Sequence, residues 1–223
     1  MNYRLGYGHD NDVISTSGLR GSVEALLATC LFVLSLPLLL LSIAIVWFEL
    51  GRPILFKQQR VGLGMKLFDV PKLRTMMDLR DAEDRLLPDR MRQRPLTTFL
   101  RRLRFDEIPQ LLAIARGEMT LVGPRPLPPE VINELGELGR IRCQVAPGLT
   151  GWAQVNGCTR LTNDQKMALD LWYIAHRSLA LDIRILFLTL RMLAFGERVN
   201  QEALRTAQSY LRQRPVACPS RRR

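Results

Sequence analysis

The sequence predicts an α/β fold that is mostly helical, with short β-hairpins and an apolar membrane helix ahead of a small domain. Three observations support this prediction. No charged residue interrupts the apolar run 25–48. Two short β-type runs, 54–56 and 66–70, flank a glycine-containing turn at 62–64. Further along the chain, apolar residues recur at helical spacing in several segments.

Composition favours a protein with affinity for anions. The 223 residues allow one domain plus a membrane segment. The net charge of +11, from 32 basic and 21 acidic residues, suits nucleic acid, anionic lipid or phosphorylated substrates. Aromatic residues make up only 7% and no basic helix is interleaved with them, so nucleic acid is not the expected partner. Scattered cysteines and two distant histidines indicate reduced thiols facing the cytosol and no metal cluster.

As a helix, the apolar run would be about 36 Å long, enough to cross a hydrocarbon core of about 30 Å. A signal peptide is disfavoured because the run is too long and no small-x-small cleavage site follows it. A buried core helix of this length would be unusual. Pro37 removes a backbone hydrogen bond and should bend the helix, and Ser35 is placed to bond a freed carbonyl. A bent helix can span the membrane or enter and leave by one face.

The basic residues beside this helix predict its orientation. Only Arg20 closely precedes it, whereas four basic residues follow it: Arg52, Lys57, Arg60 and Lys66. The downstream side should therefore be cytoplasmic, while the location of residues 1–24 stays open. The expected organisation is a flexible amino terminus (1–20), a Pro-kinked membrane helix (21–50), a cytosolic domain (51–200) and a basic tail (201–223).

The remaining elements follow in chain order. The β-type runs predict a hairpin within 53–75. Residues 76–94 are dense in charge and should form a solvated helix or loop, and 95–104 reads as a short arginine-rich helix. The later chain predicts a helix near 129–139, extended pieces around 141–146 and 150–155, and helices at 162–178 and 182–195. The last of these is amphipathic and carries two arginines, so it should lie on the bilayer or pack on the core.

Two adjacent carboxylates, Asp106 and Glu107, open a predicted helix. Apolar residues repeat at helical spacing across 108–115, and Pro109 is tolerable only in a first turn, so the helix should begin near 106. Gly117 is the expected end. The positive end of the helix dipole should keep both acids ionised.

Neighbouring helical side chains point about 100° apart, so the two carboxylates cannot share one task. One could attack a substrate or be modified while the other binds a cation or handles a proton. Taken alone, the pair is also the common pattern of an N-cap Asp followed by a first-turn Glu.

Four cations near predicted turns or short elements could hold a phosphate: Lys72, Arg74, Arg101 and Arg125. The Gly-Pro-Arg-Pro turn at 123–126 would aim Arg125, although it could equally be a rigid turn and nothing more. A carboxylate that approaches a diphosphate meets a cost of about 4 kcal/mol per like-charge contact at 4 Å and an effective dielectric near 20. Magnesium and arginines would offset such terms. Without an EF-hand-like loop, one or two acids and the substrate would hold the metal.

A third segment, 147–157, places glycines around Trp152 and two amides, Gln154 and Asn156. Such a loop could grip a base or a sugar. It could equally be a hairpin with a packed tryptophan.

Taken together, these segments resemble the bacterial sugar transferase family, small monotopic phosphoglycosyl transferases that begin glycan assembly on undecaprenyl phosphate. The matching pieces keep the family order and span roughly residues 23–195. They are the Pro-bearing apolar segment, Gly51–Gly62, Lys72–Met76, Asp106–Leu111, Leu121–Pro126 and Pro147–Gly157.

The resemblance implies a helix that dips into the cytoplasmic leaflet of the bacterial inner membrane and returns, bent at Pro37. It implies that Asp106 attacks the β-phosphate of a nucleoside-diphosphate sugar, usually a UDP-sugar, and expels the nucleoside monophosphate. A polyprenyl phosphate then takes the phosphosugar, which begins an exopolysaccharide, capsule, O-antigen or glycoprotein glycan. Glu107 would assist with the proton or the metal. Mg²⁺ would lie near Asp106, with phosphates held by Lys72, Arg101 and Arg125.

Three positions depart from the family pattern. Leu36 precedes the membrane proline where some members carry Ser, Arg104-Phe105 replaces a small polar residue and Leu, and Cys158 replaces a frequent Arg. The oligomeric state stays open, with a homodimer among the options. The rival hypothesis is a non-catalytic, membrane-anchored basic module that binds nucleic acid or anionic lipid, with strongly salt-dependent association.

Overall fold

The computed structural model describes residues 18–213. Predictions about residues 1–17 and 214–223 therefore lie outside the described chain. The described part is α/β and mostly helical, as predicted. Its α-helices are α1 (Leu19–Leu50), α2 (Asp89–Arg92), α3 (Pro95–Arg102), α4 (Leu111–Ala115), α5 (Pro129–Leu135), α6 (Glu137–Arg142), α7 (Trp152–Val155), α8 (Asn163–His176), α9 (Leu179–Phe195) and α10 (Gln201–Gln213). Its strands are β1 (Leu55–Val61), β2 (Leu67–Leu73), β3 (Thr120–Val122) and β4 (Gly148–Thr150).

The described residues divide into two compact units. One comprises Val23–Gln58 and Asp69–Arg116 and carries the adjacent acids, so it is called the dyad unit here. The other comprises residues 18–22, Gln59–Phe68 and 117–213 and carries the Gly-Pro-Arg-Pro turn, so it is called the turn unit.

The long apolar helix α1 is continuous across Pro37 and would be about 48 Å long at 1.5 Å per residue. Its apolar segment is long and hydrophobic enough to cross a membrane, yet only 17% of that segment is buried. A core helix would bury its apolar side chains, so this exposure contradicts the core-helix alternative. The Ser35 hydroxyl donates to the carbonyl of Phe32 at 2.9 Å. The missing N–H of Pro37 frees the carbonyl of Val33 instead, so the expected rescue by Ser35 is wrong.

The inner side of α1 packs within the dyad unit. Leu39 and Val46 are buried in a cluster with Leu73 of β2 and Leu100 of α3. The carboxylate of Glu49 accepts a hydrogen bond from the backbone amide of Thr97 at 2.8 Å, which satisfies a free donor in the first turn of α3. The end of α1 is therefore tied to the short helix that precedes the acidic pair.

The predicted hairpin is present. Strand β1 pairs with β2, and the connection is a short 3₁₀ turn at Leu63–Met65. Gly64 has a φ of 61°, which favours glycine at this point of the turn. The charged stretch 76–94 is mostly loop, with bridges between Met76 and Gln93 and between Arg80 and Leu86.

The turn unit is organised around a short parallel pair, β3 and β4, which the sequence did not predict. Thr120 pairs with Gly148, and Val122 pairs with Thr150. The main apolar cluster of the unit surrounds this pair and includes Trp152, Leu169 and Ile185.

Several predicted boundaries in the turn unit are wrong. Residues 141–146 do not form a strand, because the range begins with the end of α6; of 150–155 only Thr150 belongs to a strand, because α7 begins at Trp152. The single helix predicted near 129–139 is two helices, separated at Gly136, whose φ of 56° does not fit a right-handed helix. Part of the predicted basic tail is the helix α10, whose Leu204 and Ala207 are buried.

Candidate active site

Asp106 and Glu107 lie in a 3₁₀ segment, Phe105–Gln110, directly before α4. Arg104 adopts a left-handed φ of 59°, which ends the preceding helical turn and redirects the chain. The segment begins near 106 as predicted, but its first turns are 3₁₀ rather than α. Pro109 therefore lies before the α-helix, where its missing N–H costs little.

Glu107 is a buried carboxylate that two cations hold in place. Its Oε1 accepts from Lys72 Nζ at 3.0 Å, and its Oε2 accepts from Arg104 at 3.1 Å. The Glu107 side chain is only 8% exposed, so both charge-assisted contacts are shielded from water. Glu107 is thereby fixed in position, with an oxygen committed to each cation.

Asp106 has the opposite environment. It is 9% exposed, and the structure records no ion pair for it among the described residues. Burial raises its pKa to about 6, and the neighbouring charge of Glu107 adds to the rise, while Lys72 and Arg101 oppose it. The predicted stabilisation of the Asp106 charge by the helix dipole is therefore opposed, although a carboxyl with a pKa of about 6 is still mostly ionised at pH 7. Desolvation and a like charge outweigh the dipole of a short 3₁₀ start.

Arg101 contributes an unused donor to the same neighbourhood. One terminal nitrogen of its guanidinium is buried and lacks a hydrogen-bond partner among the described residues. A buried donor of this kind costs free energy unless a ligand or water satisfies it. Its charge also lowers the pKa of Asp106. An anion beside Asp106 would satisfy this nitrogen.

Arg74 lies beside the end of α1, and its phosphate-binding role stays a prediction. Its guanidinium donates to the carbonyls of Leu50 at 2.5 Å and Gly51 at 2.9 Å. These contacts satisfy free carbonyls at the end of α1. Arg74 thus helps to complete the helix terminus, and its Nε is buried without a hydrogen-bond partner in the described part of the chain.

The other predicted residues belong to the turn unit. The backbone carbonyl of Arg125 accepts a hydrogen bond from Arg142. Arg142 also forms a buried ion pair with Asp170, with Nε to Oδ2 at 2.9 Å. The turn backbone is thus held by a fixed cation. Burial lowers the pKa of Arg60, and the charge of Arg125 adds to this effect.

Close packing of glycines holds this turn against β4. A Cβ added at Gly148 would lie 2.0 Å from the backbone nitrogen of Gly123, and one at Gly151 would lie 2.1 Å from the carbonyl oxygen of Gly123. The Leu121–Pro126 and Pro147–Gly157 motifs therefore form one interlocked element. This packing explains why the second motif needs its glycines.

Gln154 and Asn156 are used within their own loop. Gln154 is 4% exposed and donates to the carbonyl of Leu149 at 2.9 Å. Asn156 is 1% exposed and donates to the carbonyl of Trp152 at 2.8 Å. The structure gives both amides a structural role, and their substrate-binding role stays a prediction.

Sequence reasoning missed three contributors: Arg104, Arg142 and Asp170. Arg104 was noticed only as a departure from the family pattern, although a cation three residues before Glu107 is a usable signal. Arg142 and Asp170 are 28 residues apart in the chain, and no local pattern connects them.

Comparisons with known proteins show the family of this chain. The family profile described as bacterial sugar transferase matches residues 16–196. An uncharacterized sugar transferase, EpsL of Bacillus subtilis, is 41% identical over 173 residues, which cover 78% of this chain and 86% of EpsL. The exopolysaccharide production protein ExoY of Sinorhizobium fredii is 32% identical over 76% of this chain and 82% of ExoY.

Longer relatives share the same region. The undecaprenyl-phosphate glucose phosphotransferase of Komagataeibacter xylinus is 39% identical over 77% of this chain but only 35% of its own length. The chain belongs to the bacterial sugar transferase family. It is an enzyme of the transferase class, associated with membranes.

Proposed function

We propose that the protein transfers a sugar 1-phosphate from a nucleoside-diphosphate sugar to undecaprenyl phosphate and so begins the assembly of a bacterial glycan. The donor would be a UDP-sugar, and the first to test is UDP-glucose, because relatives from Escherichia coli and Caulobacter vibrioides are named for it. The observation that carries the proposal is the contrast within the dyad. Glu107 is clamped by two cations, whereas Asp106 is buried without an ion pair among the described residues.

The reaction has two displacement steps at one phosphorus atom. An Asp106 oxygen attacks the β-phosphorus of the donor, and the bond to the bridging oxygen breaks to release UMP. The resulting acyl phosphate carries the sugar phosphate. An oxygen of undecaprenyl phosphate then attacks the same phosphorus, and Asp106 leaves as a carboxylate. Covalent catalysis of this kind splits one difficult transfer into two easier ones.

The surrounding cations suit the charge that develops on the phosphoryl oxygens. The unbonded nitrogen of Arg101 would donate to a phosphate oxygen. Lys72 Nζ, which donates to Glu107, would stabilise the negative charge of the same phosphate. Arg125 keeps the phosphate-binding role predicted from the sequence. Glu107 would stabilise or transfer a proton at the reacting oxygens.

Mg²⁺ fits the chemistry of the acidic pair as a substrate-borne cofactor. Carboxylate oxygens are hard ligands, and magnesium is usually held by one or two of them together with substrate phosphates. Among the described residues no group of three or more His, Cys, Asp or Glu side chains could hold a metal. Asp106 and Glu107 would supply the protein ligands, and the ion would neutralise diphosphate charge.

We also propose that α1 re-enters rather than spans, in the bacterial inner membrane, with the reacting groups on the cytoplasmic side. The basic residues that follow α1 support the orientation. A single cysteine placed near Tyr7 tests the topology in spheroplasts of a variant whose natural cysteines are replaced. Protection from an impermeant reagent added outside is expected, and outside labelling would contradict the re-entrant helix.

The reaction is tested with detergent-solubilised full-length protein, Mg²⁺, undecaprenyl phosphate and UDP-glucose. Release of UMP is expected, together with a phosphosugar adduct on Asp106 in intact-mass spectra of quenched reactions. Release of UDP would indicate direct glycosyl transfer and reject the mechanism. Asp106→Ala should form no adduct and no UMP, and appreciable turnover in that variant would contradict covalent catalysis.

A further inference from the structure

A cavity of about 500 Å³ in the turn unit lies between the carboxyl end of α9 and the segment that leads into α10. Apolar side chains of α9 line part of it, including Leu188, Met192 and Phe195. Two arginines, Arg191 and Arg198, line it as well. Neither arginine has a role in the proposed transfer reaction.

Both arginines are available to a ligand. They are exposed, and neither has a hydrogen-bond or ion-pair partner among the described residues. The acid between α9 and α10, Glu197, accepts from the amide of Thr159 at 3.1 Å and from its hydroxyl at 2.5 Å. Two guanidinium groups on one cavity favour an anion with several oxygen atoms, such as a phosphate.

The surface that leads to this cavity is apolar. Ile183, Phe187, Leu190 and Phe195 of α9 are between 58% and 72% exposed. The opposite face of α9 is buried, with Ile185 and Met192 in contact with the unit. The exposed row ends at the cavity, because Phe195 belongs to both. An apolar helix face bordered by arginines is typical of a helix at the boundary between headgroups and acyl chains.

We propose that this cavity binds the phosphate headgroup of an anionic phospholipid, whose acyl chain lies along the exposed row of α9. Arg191 and Arg198 hold the phosphate, and the row Ile183–Phe195 covers the chain. A zwitterionic lipid carries a compensating ammonium group and binds more weakly. Free phosphate or glycerol phosphate binds more weakly because it lacks the chain. The lipid is a structural ligand, separate from the reacting substrates.

The test uses full-length protein in neutral detergent and native mass spectrometry with added phosphatidylglycerol, phosphatidylcholine, glycerol phosphate or undecaprenyl phosphate. The wild type should retain phosphatidylglycerol in preference to phosphatidylcholine and glycerol phosphate. The double variant R191Q/R198Q should lose about 30-fold in affinity for phosphatidylglycerol, because each arginine beside an anionic headgroup contributes roughly fivefold to the affinity. The matched control R205Q/R212Q removes two exposed arginines from α10 and should keep the lipid.

Equal loss in the control pair would show a diffuse charge effect and overturn the proposal. Equal binding of glycerol phosphate would indicate a free-phosphate site and would also overturn the proposal. Loss of undecaprenyl phosphate binding in R191Q/R198Q would indicate an acceptor site and would overturn it as well. A second variant, Leu188→Trp, fills the cavity and keeps both charges. It should release phosphatidylglycerol, and continued retention would contradict the assignment. UMP release, measured separately, reports the transfer reaction and not this site.

Discussion

The behaviour of Asp106 follows from its surroundings. Burial and the adjacent Glu107 both disfavour its charge, and they raise its pKa to about 6. A nucleophilic carboxylate must be ionised to attack phosphorus. Asp106 therefore ionises just below neutral pH, and in the proposed mechanism it would be available as a nucleophile at neutral pH.

The first prediction concerns the pH dependence of transfer. Because the proposed mechanism requires Asp106 to lose its proton, kcat/KM should fall below about pH 6, approaching tenfold per pH unit. The measurement is UMP release at low donor concentration between pH 4.5 and 8.5, with enzyme stability checked at each pH. An acid limb near pH 4 would show that the Asp106 carboxyl is not perturbed in the free enzyme.

The same shift has a consequence for stability. A carboxyl whose pKa is higher in the folded than in the unfolded protein lowers the free energy of unfolding when it is ionised. This destabilisation is absent below about pH 4 and complete above about pH 6. A rise from 3.8 to about 6 corresponds to a cost on the order of 3 kcal/mol at pH 8. Asp106→Asn cannot ionise and should therefore be more stable than wild type at pH 8 but not at pH 4. Thermal unfolding in detergent at both pH values measures this, and identical curves at pH 8 would contradict it.

The two cations that hold Glu107 should differ in their effect on Asp106. Lys72 lowers the pKa of Asp106, whereas Arg104 is not among its causes. Lys72→Met should therefore move the acid limb of kcat/KM to higher pH. Arg104→Met, which also removes one partner of Glu107, should leave the limb in place. If the acid limb moves to the same extent in both variants, then the ion pairs that hold Glu107, rather than the charge of Lys72, set the pKa of Asp106.

At the scale of elements, helices with a clear apolar period were predicted well. The helix predicted at 162–178 is α8, and its start is fixed by a capping box between Thr162 and Gln165. The hairpin was predicted from its strands and glycine turn. The β3–β4 pair could not be predicted, because each strand has three residues and its partner lies 28 positions away. Helix α10 was missed because its charged residues obscured the spacing of Leu204, Ala207 and Leu211.

In the candidate site, too, the sequence indicates the residues that lie in distinctive motifs but not the properties that depend on the fold. Asp106, Glu107 and Lys72 were recognised because they lie in short, chemically distinctive motifs. The raised pKa of Asp106 could not be predicted, because it depends on burial that only the fold creates. The structural use of Gln154 and Asn156 likewise appears only when their loop is closed.

The glycine packing between the turn and β4 gives an element-scale prediction. Gly148→Ala would place a methyl group 2.0 Å from the backbone nitrogen of Gly123, so backbone must move. It should lower thermal stability and reduce UMP release. Gly18→Ala is the matched control, because nothing lies within 4 Å of its Cβ and its φ is not positive. Normal stability in Gly148→Ala would contradict the described packing.

At the scale of the molecule, exposed apolar surface on α1 explains membrane association. Leu34, Leu40 and Leu41 are 76%, 63% and 58% exposed, whereas Leu39 and Val46 are buried in the dyad unit. Lysine at two of these exposed positions would cost about 2.5 to 3.5 kcal/mol each near the centre of a membrane segment.

The double variant L34K/L41K should therefore shift the protein from the membrane pellet to the alkaline-extractable fraction. Substitutions at exposed polar positions outside α1, such as R205Q/R212Q, provide the control and should leave the protein in the pellet. Unchanged sedimentation of L34K/L41K would show that α1 is not the anchor.

The ties at the carboxyl end of α1 have a mechanical consequence. Glu49 bonds the amide of Thr97, and Arg74 bonds the carbonyls of Leu50 and Gly51. These hydrogen bonds join the end of the membrane helix to the segment that leads to Asp106, within one compact unit. In the proposed reaction they would limit how far the carboxyl moves relative to the bilayer surface, so that an isoprenoid acceptor would meet it by lateral diffusion.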